Sequence, residues 1–214
     1  MSLVKVQDIK YIFELFNNNI EYILLRNIDN KIPNRLELMS DIDILVNKSD
    51  TNKLSKLLTE SGYYENNSHC SSDIYLYGVD KYRQFIKNDV LLDIQFQLMA
   101  RSLDAGQWIP LDQIIQESAW KNKRLEQRGN NFVYWTLGYD DEFICLVVRS
   151  IFDKKEFQNG YKKNINKLFL MIDKDEVIKK LNMVFFKFTP YLMDMIERQD
   201  YDKVIINYLQ FKEY

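Results

Sequence analysis

Ser40-Asp41-Ile42-Asp43-Ile44-Leu45-Val46 reads as a short β-strand with an acid at alternate places near its start. Successive side chains of a strand point to opposite faces, so Asp41 and Asp43 project together with Cα atoms roughly 6.5–7 Å apart, and Ile42, Ile44 and Val46 project the other way. The apolar face needs a cover, which puts the two carboxylates on the working side of a sheet. The same parity runs through Leu91-Leu92-Asp93-Ile94-Gln95-Phe96-Gln97, where Asp93, Gln95 and Gln97 share one face and Leu92, Ile94 and Phe96 the other. With this strand beside the first, about 4.8 Å away, a third carboxylate joins the pair.

Three converging carboxylates repel one another unless a cation sits among them. Hard oxygen donors point to Mg²⁺ or Mn²⁺ held by Asp41, Asp43 and Asp93. His69 is the single histidine, and Cys70 and Cys145 the only cysteines, in no zinc-binding spacing. Two such ions roughly 3.5–4 Å apart stabilise both the attacking and the leaving oxygens of an in-line phosphoryl displacement. The alternative makes Asp41 a turn residue, Asp43 half of an ion pair and Asp93 an edge charge.

Working outward, Val6, Ile9, Ile12, Phe13 and Phe16 recur at helical spacing and predict a helix stopped by Asn17-Asn18-Asn19. Tyr22–Leu25 is a short strand ending at Arg26, and 27–39, with Pro33, is a loop. Ser49 is the expected N-cap of a helix carrying Leu54, Leu57 and Leu58, with Gly62 as its stop. Tyr63–Asn66, Asp73–Val79, Tyr82–Lys87 and Val90–Gln97 are expected as antiparallel strands extending the sheet, broken at Gly78 and Asn88-Asp89. Trp108-Ile109-Pro110 reads as a crossing loop, Gly129-Asn130-Asn131 as a turn, and Phe132–Trp135 as a short apolar run. Asp140, Asp141 and Glu142 open a helix. Tyr161–Ile172, Asp175–Phe186 and Tyr191–Leu209, with a break near Asp200, are further helices. The expected architecture is α+β: a mixed sheet with flanking helices over 1–105, and a mainly helical region over 106–214.

Composition narrows the function. The 214 residues are 46% hydrophobic and 28% charged, enough apolar side chain for a packed core, so disorder is excluded. Lys plus Arg number 29 against 31 acids, a net charge of −2, so no basic field draws the molecule to long nucleic acid. The N-terminus lacks a signal-peptide pattern and runs such as Phe143–Val148 are too short to span a bilayer, giving an expectation of a cytoplasmic protein without a membrane span.

Tyr22-Ile23-Leu24-Leu25-Arg26, Ser40–Val46, the helix to Gly62-Tyr63 and Leu91-Leu92-Asp93-Ile94-Gln95 together resemble the nucleotidyltransferase superfamily, of polymerase-β-like fold. The similarity is greatest to an uncharacterised bacterial and archaeal branch found near surface-polysaccharide genes. It spans roughly residues 6–170, with Asp141-Glu142-Phe143 through Asn159-Gly160-Tyr161-Lys162-Lys163 similar to the branch's C-terminal helices. The resemblance implies that Asp41 and Asp43 bind metal and, through it, nucleotide phosphates. Asp93 would share a metal and take the proton of the acceptor hydroxyl, and Ser40 would place a backbone N–H or hydroxyl on the phosphates. The implied reaction moves a nucleoside monophosphate from an NTP to a small-molecule, sugar or lipid-linked acceptor. Two patterns depart from the family: Met39-Ser40 stands where Gly-Ser or Gly-Gly is usual, and Leu25-Arg26-Asn27 replaces Leu-Arg-Gly, with Asn27 expected to tolerate positive φ.

Among weaker signals, Arg26 ends a buried strand near the acids, and Lys81 and Arg83 share a strand face; all three are candidate nucleotide contacts. His69, among Ser68, Cys70, Ser71 and Ser72, reads as an ordinary loop residue. Lys121-Asn122-Lys123-Arg124, Lys154-Lys155 and Lys162-Lys163 read as solvated faces. Two other functions remain open: another phosphoryl-group transfer of phosphocholine type on the same scaffold, and a catalytically degenerate domain that binds a nucleotide or a partner.

Overall fold

In the computed structural model, which describes residues 3–66, 73–103, 106–129 and 132–213, helix α1 (Val6–Asn19) buries Ile9, Ile12, Phe13 and Phe16 along one stripe. The Asn triplet does not stop it but forms its last turn. Asn19 Nδ2 donates back to Leu15 O within the helix (2.8 Å) and Asn17 Nδ2 donates out of it to Val133 O (2.8 Å), so both side chains find partners without ending the helix. Strand β1 (Tyr22–Leu24) then runs antiparallel to β2 (Asp41–Val46). Ser49 is not the cap of the next helix. Asn47, at the end of β2, accepts the Ser49 N–H at 3.1 Å and caps a 3₁₀ turn over Lys48–Asp50, and α2 (Thr51–Glu60) starts beyond it. Gly62 ends α2 with φ +81°.

Strands β3 (Tyr64–Glu65), β5 (Arg83–Lys87) and β6 (Val90–Gln95) extend the sheet, antiparallel to one another as expected. Against β2, however, β6 runs parallel. Asp73–Val79 does not join this sheet: only Ile74–Tyr75 forms a strand, β4, followed by a 3₁₀ turn. It belongs to a separate three-stranded sheet ordered β4, β8 (Gln107–Pro110), β7 (Met99–Arg101). Trp108, expected in a crossing loop, is therefore a strand residue. Its indole N–H donates to Asp73 at 2.8 Å and its ring packs under Arg101 at 4.9 Å, partnerships invisible to local pattern.

After α3 (Gln113–Lys121), β9 (Arg124–Arg128) and β10 (Phe132–Thr136) return to the main sheet, whose order is β3-β5-β6-β2-β1-β10-β9. β10 lies parallel to β1, pinned where Thr136 Oγ1 donates to Leu24 O (2.9 Å). The sheet thus takes strands from both sides of residue 105. Helices α4 (Tyr139–Val148), α5 (Asn159–Phe169), α6 (Lys174–Phe185), α7 (Thr189–Glu197) and α8 (Tyr201–Gln210) complete the chain, with the expected break around Asp200.

Parity assigns the two faces as the sequence implied. Ile42, Ile44, Val46, Leu92 and Ile94 pack with α1 and α2 in one core, while Ile23, Leu25 and Leu45 pack with the C-terminal helices in another. The acid-bearing face is consequently roofed at one end and open at the other. No helix among the described residues is long and apolar enough to cross a membrane.

Candidate active site

Exposure along the acid face of β2 falls in three steps: the Asp41 side chain is 48% exposed, that of Asp43 6%, and Leu45 is sealed in the core. The parallel register sets Asp43 directly opposite Asp93. Asp41, Asp43 and Asp93 each bring a carboxylate oxygen within 4.8 Å of the others. Gln84, which faces Asp93 across β5 and β6, donates to Asp93 Oδ1 at 2.8 Å and fixes that carboxylate.

Arg26, leaving β1, contacts Asp43 Oδ2 and lies 3.7 Å from Asp41 Oδ2. A second guanidinium was missed in the sequence. Arg149 sits at the start of a π-helical turn (Arg149–Asp153) that continues α4. Its Nη1 pairs with Asp153 at 2.6 Å and its Nε donates to Tyr161 OH at 3.1 Å. Its charge reaches Asp43 and Asp93 and favours their ionised forms. The signal was present as the one basic residue closing the apolar run from Phe143, at a π-turn of the kind frequent at functional sites. Between these groups and the loop after β1 opens a polar cleft of about 380 Å³, lined by Arg26, Ser40, Asp41, Asp43, Arg149 and Lys154, among others. Lys154, expected on a solvated face, faces this cleft.

Ser40 is half-buried at the cleft, and its backbone N–H already donates to Glu37 O (3.1 Å), so its hydroxyl is the group left for a ligand. Met39 holds φ +58°, the backbone conformation natural to the glycine that it replaces. Since Met39 is 49% exposed and a side chain in the left-handed region costs about 1 kcal/mol or more, Met39→Gly should not lower stability and should raise it by up to about 1 kcal/mol in urea unfolding. A clear loss would mean that the side chain packs more than it strains. Asn27 departs from expectation, with φ −134°. It serves through its side chain, which donates to Ile32 O (3.0 Å) and accepts from Ile32 N–H (2.9 Å), clipping the loop.

Arg83 and Lys81 are not brought to the acids. The two-residue turn Asn88-Asp89, with positive φ at both residues, pairs Arg83 with Ile94 on the face that α2 covers. There Arg83 forms two 2.6 Å bonds with Glu65 and a third with Ser55 Oγ. Lys81 is exposed, and its charge acts on Glu65. His69, with Ser68, Cys70, Ser71 and Ser72, and the Asn130-Asn131 turn lie outside the described residues.

Burial holds the Asp43 carboxyl up to about 6; Arg26 and Arg149 oppose the rise, and Asp41 and Asp93 add to it. Asp93 is raised as well, chiefly by burial and against the Gln84 hydrogen bond. An unfolded Asp gives up its proton near pH 3.9, so between there and about 6 the metal-free folded state binds a proton that the unfolded chain has lost. Stability from this group is full below about pH 4 and declines as pH rises through about 6. Urea unfolding of the metal-free protein should therefore show a decline across this window that is smaller in Asp43→Asn by on the order of 2–3 kcal/mol, Asp93 supplying what remains. Equal slopes would sink this account.

A mixed sheet with three acids on neighbouring strands, roofed by C-terminal helices, is the site that this fold builds. The chain belongs to the family of uncharacterised nucleotidyltransferases, whose model matches residues 6–186. Among solved structures, the solution structure of the antibiotic-resistance factor ANT(2'')-Ia aligns with a TM-score of 0.51 at 10% identity, covering 91% of this chain and 97% of that one. The lincomycin-bound crystal structure of the lincosamide antibiotic adenylyltransferase LnuA gives 0.46 at 12% identity, covering 80% of this chain and all of that one. At such identities the likeness concerns the fold. No curated protein matches the sequence.

Proposed function

We propose that the protein is a divalent-metal-dependent nucleotidyltransferase that moves a nucleoside monophosphate from an NTP to a hydroxyl of a small-molecule acceptor, sugars and lipid-linked molecules included. The observation that carries this reading is the in-register facing of Asp43 and Asp93 on parallel strands, with Asp41 completing the triad.

The donor set fits Mg²⁺ or Mn²⁺. All three donors are carboxylates, and with Arg26 and Arg149 as the facing cations the fully ionised cluster keeps a net negative charge, in line with the raised Asp43 and Asp93. Asp41, Asp43 and Asp93 would hold the ion. Bound there, it supplies charge neutralisation at the α-phosphoryl group and the departing pyrophosphate.

The rest belongs to the chain. Asp93, steadied through Oδ1 by Gln84, takes the proton of the acceptor hydroxyl on its other oxygen. The acceptor oxygen forms the new bond to the α-phosphorus, and the bond to the bridging oxygen breaks, its electron pair leaving with pyrophosphate. Arg26 and Arg149 turn their N–H groups to the phosphoryl oxygens, Tyr161 and Asp153 holding Arg149 in place. The Ser40 hydroxyl donates to a phosphate, and Lys154 neutralises the tail of the triphosphate at the mouth of the cleft. The reaction is served mainly by positioning and charge.

The test is thermal unfolding with each NTP, with and without Mg²⁺ or Mn²⁺, followed by a pyrophosphate assay over a panel of hydroxyl acceptors. A nucleotide at 100 times its dissociation constant adds about 2.7 kcal/mol, which is on the order of 5–10 °C for a chain of this size. Metal-dependent stabilisation with pyrophosphate release supports the assignment. Product formation from CDP-choline without pyrophosphate points to the phosphocholine-type reaction, and no binding of any nucleotide overturns both.

A further inference from the structure

Behind the two arginines lies a second, smaller compartment. Arg26 and Arg149 line the polar cleft with one edge and, with another, a slot walled by Leu98, Trp108, Leu111 and Leu146. This slot is where the three-stranded sheet meets α4. Trp108 is a rigid wall: Asp73 anchors its indole N–H, Arg101 covers its ring, and Tyr82 packs against it at 5.6 Å.

Of the polar side chains on its walls, Arg26, Arg149 and Asp153 are held in ion pairs, and Gln95 is the uncharged amide among them. Gln95 follows Asp93 on the same face of β6, roughly 6.5–7 Å further along by Cα. It is 8% exposed and lines the slot. An amide lining this space offers a ligand both hydrogen-bond donors and an acceptor. The slot measures about 40 Å³. A water-sized group needs about 10–15 Å³, so the space suits a short alkyl group or the edge of a ring and excludes a nucleobase.

We propose that this slot is the acceptor subsite, and that the acceptor is a small alcohol in which an apolar group adjoins the reacting hydroxyl, with one hydrogen-bonding atom set for Gln95. This rests on the nucleotidyltransferase reading above and narrows its acceptor. The polar cleft takes the triphosphate, the slot takes the apolar flank of the acceptor, Arg26 and Arg149 border both, and Asp93, preceding Gln95 on the same face of β6, takes the proton of the hydroxyl. A polyol presenting hydroxyls on every carbon has no group for the slot.

The experiment uses the three tryptophan indole N–H signals in ¹⁵N–¹H spectra of the full chain, with Trp120 and Trp135 as internal controls for Trp108. The probes are 1-propanol, cyclohexanol and glycerol, and Mg²⁺–ATP stabilisation is measured on the same samples by thermal unfolding. The expected result is a saturable shift of the Trp108 signal with the first two alcohols and none with size-matched glycerol. Gln95→Leu should weaken 1-propanol about fivefold, the worth of one hydrogen bond. Met99→Phe, at a half-buried position on the slot wall, should abolish the shift, and neither variant should change the Mg²⁺–ATP effect. An equal response to glycerol, or no Trp108 response while Mg²⁺–ATP still stabilises, overturns the slot and leaves the nucleotidyltransferase reading intact. A Trp108 response with no stabilisation by any Mg²⁺–NTP overturns that reading, and the slot's role as acceptor subsite with it.

Discussion

Asp43→Asn should lower nucleotidyl transfer by roughly 10³-fold or more, while the metal-free protein at pH 7 stays at least as stable as the parent. The two halves of this result have one cause. Asp43 is buried in the middle of the triad, and at pH 7 the fold must ionise a carboxyl whose pKa is held up to about 6. An amide of the same shape removes that cost, and Arg26 keeps Asp41 as a neighbour at 3.7 Å. The same amide lacks the charge that metal and phosphoryl transfer require, and removing a single electrostatic contributor to a transition state typically costs about 10²–10³-fold. On the proposed reading, in which Asp43 is a metal ligand, its loss should reach the upper end or pass it. The checks are the rate of pyrophosphate release, the metal-dependent shift of the unfolding midpoint and the metal-free midpoint. Lost activity together with a lower metal-free midpoint would show that Asp43 holds the fold together and would remove the evidence for a chemical role.

The largest loss of stability should come from a different ion pair, buried where three helices meet. Lys180 on α6 reaches Asp141 on α4 at 2.8 Å and Ser118 Oγ on α3 at 2.5 Å. Ser118 Oγ lies 2.8 and 2.9 Å from the two Asp141 oxygens, and Asn122 donates to it at 3.0 Å. Asp141 is wholly buried. Lys180→Met strands that carboxylate without its cation, which costs about 3–5 kcal/mol. For a chain of this length the unfolding midpoint should fall by about 6–20 °C. The double variant Asp141→Asn, Lys180→Met removes both charges together and should recover a large part of the loss. Recovery distinguishes a stranded charge from a simple packing defect, since a defect leaves the double variant no better than the single one.

How much of this was legible in the sequence depended on whether the signal was local. The alternation in Ser40–Val46 and Leu91–Gln97 sorted acids from core because parity is a property of one strand, and both core faces followed it. The C-terminal helices followed from their spacing. Arg83 was misplaced because parity within β5 says nothing about β6 until the turn between them is counted. The two-residue Asn88-Asp89 turn sets odd positions of β5 against even positions of β6, and Gln84 rather than Arg83 meets Asp93. That signal was readable. Other features were not local at all: β10 entering beside β1 after more than a hundred residues, Trp108 pairing with Tyr75, and Arg149 arriving from α4. No window of sequence encodes such partnerships. Met39 shows the converse, a residue that breaks a familiar glycine pattern while the backbone keeps the glycine's conformation.

The pairing of β1 with β10 also has a consequence for the order in which the chain acquires its competence during synthesis. When the ribosome has released the first hundred or so residues, all three acids are already outside, but β1 presents an open edge and the acid face has no roof. Neither the strand that covers β1 nor the second guanidinium exists until the segment from Phe132 to Arg149 emerges, and Tyr161 must follow before that arginine is held. Nascent chains of increasing length, released and assayed for Mg²⁺–ATP binding, should therefore gain it in one late step, and a shortened transcript would yield a protein bearing every acid of the triad and no place to keep a nucleotide.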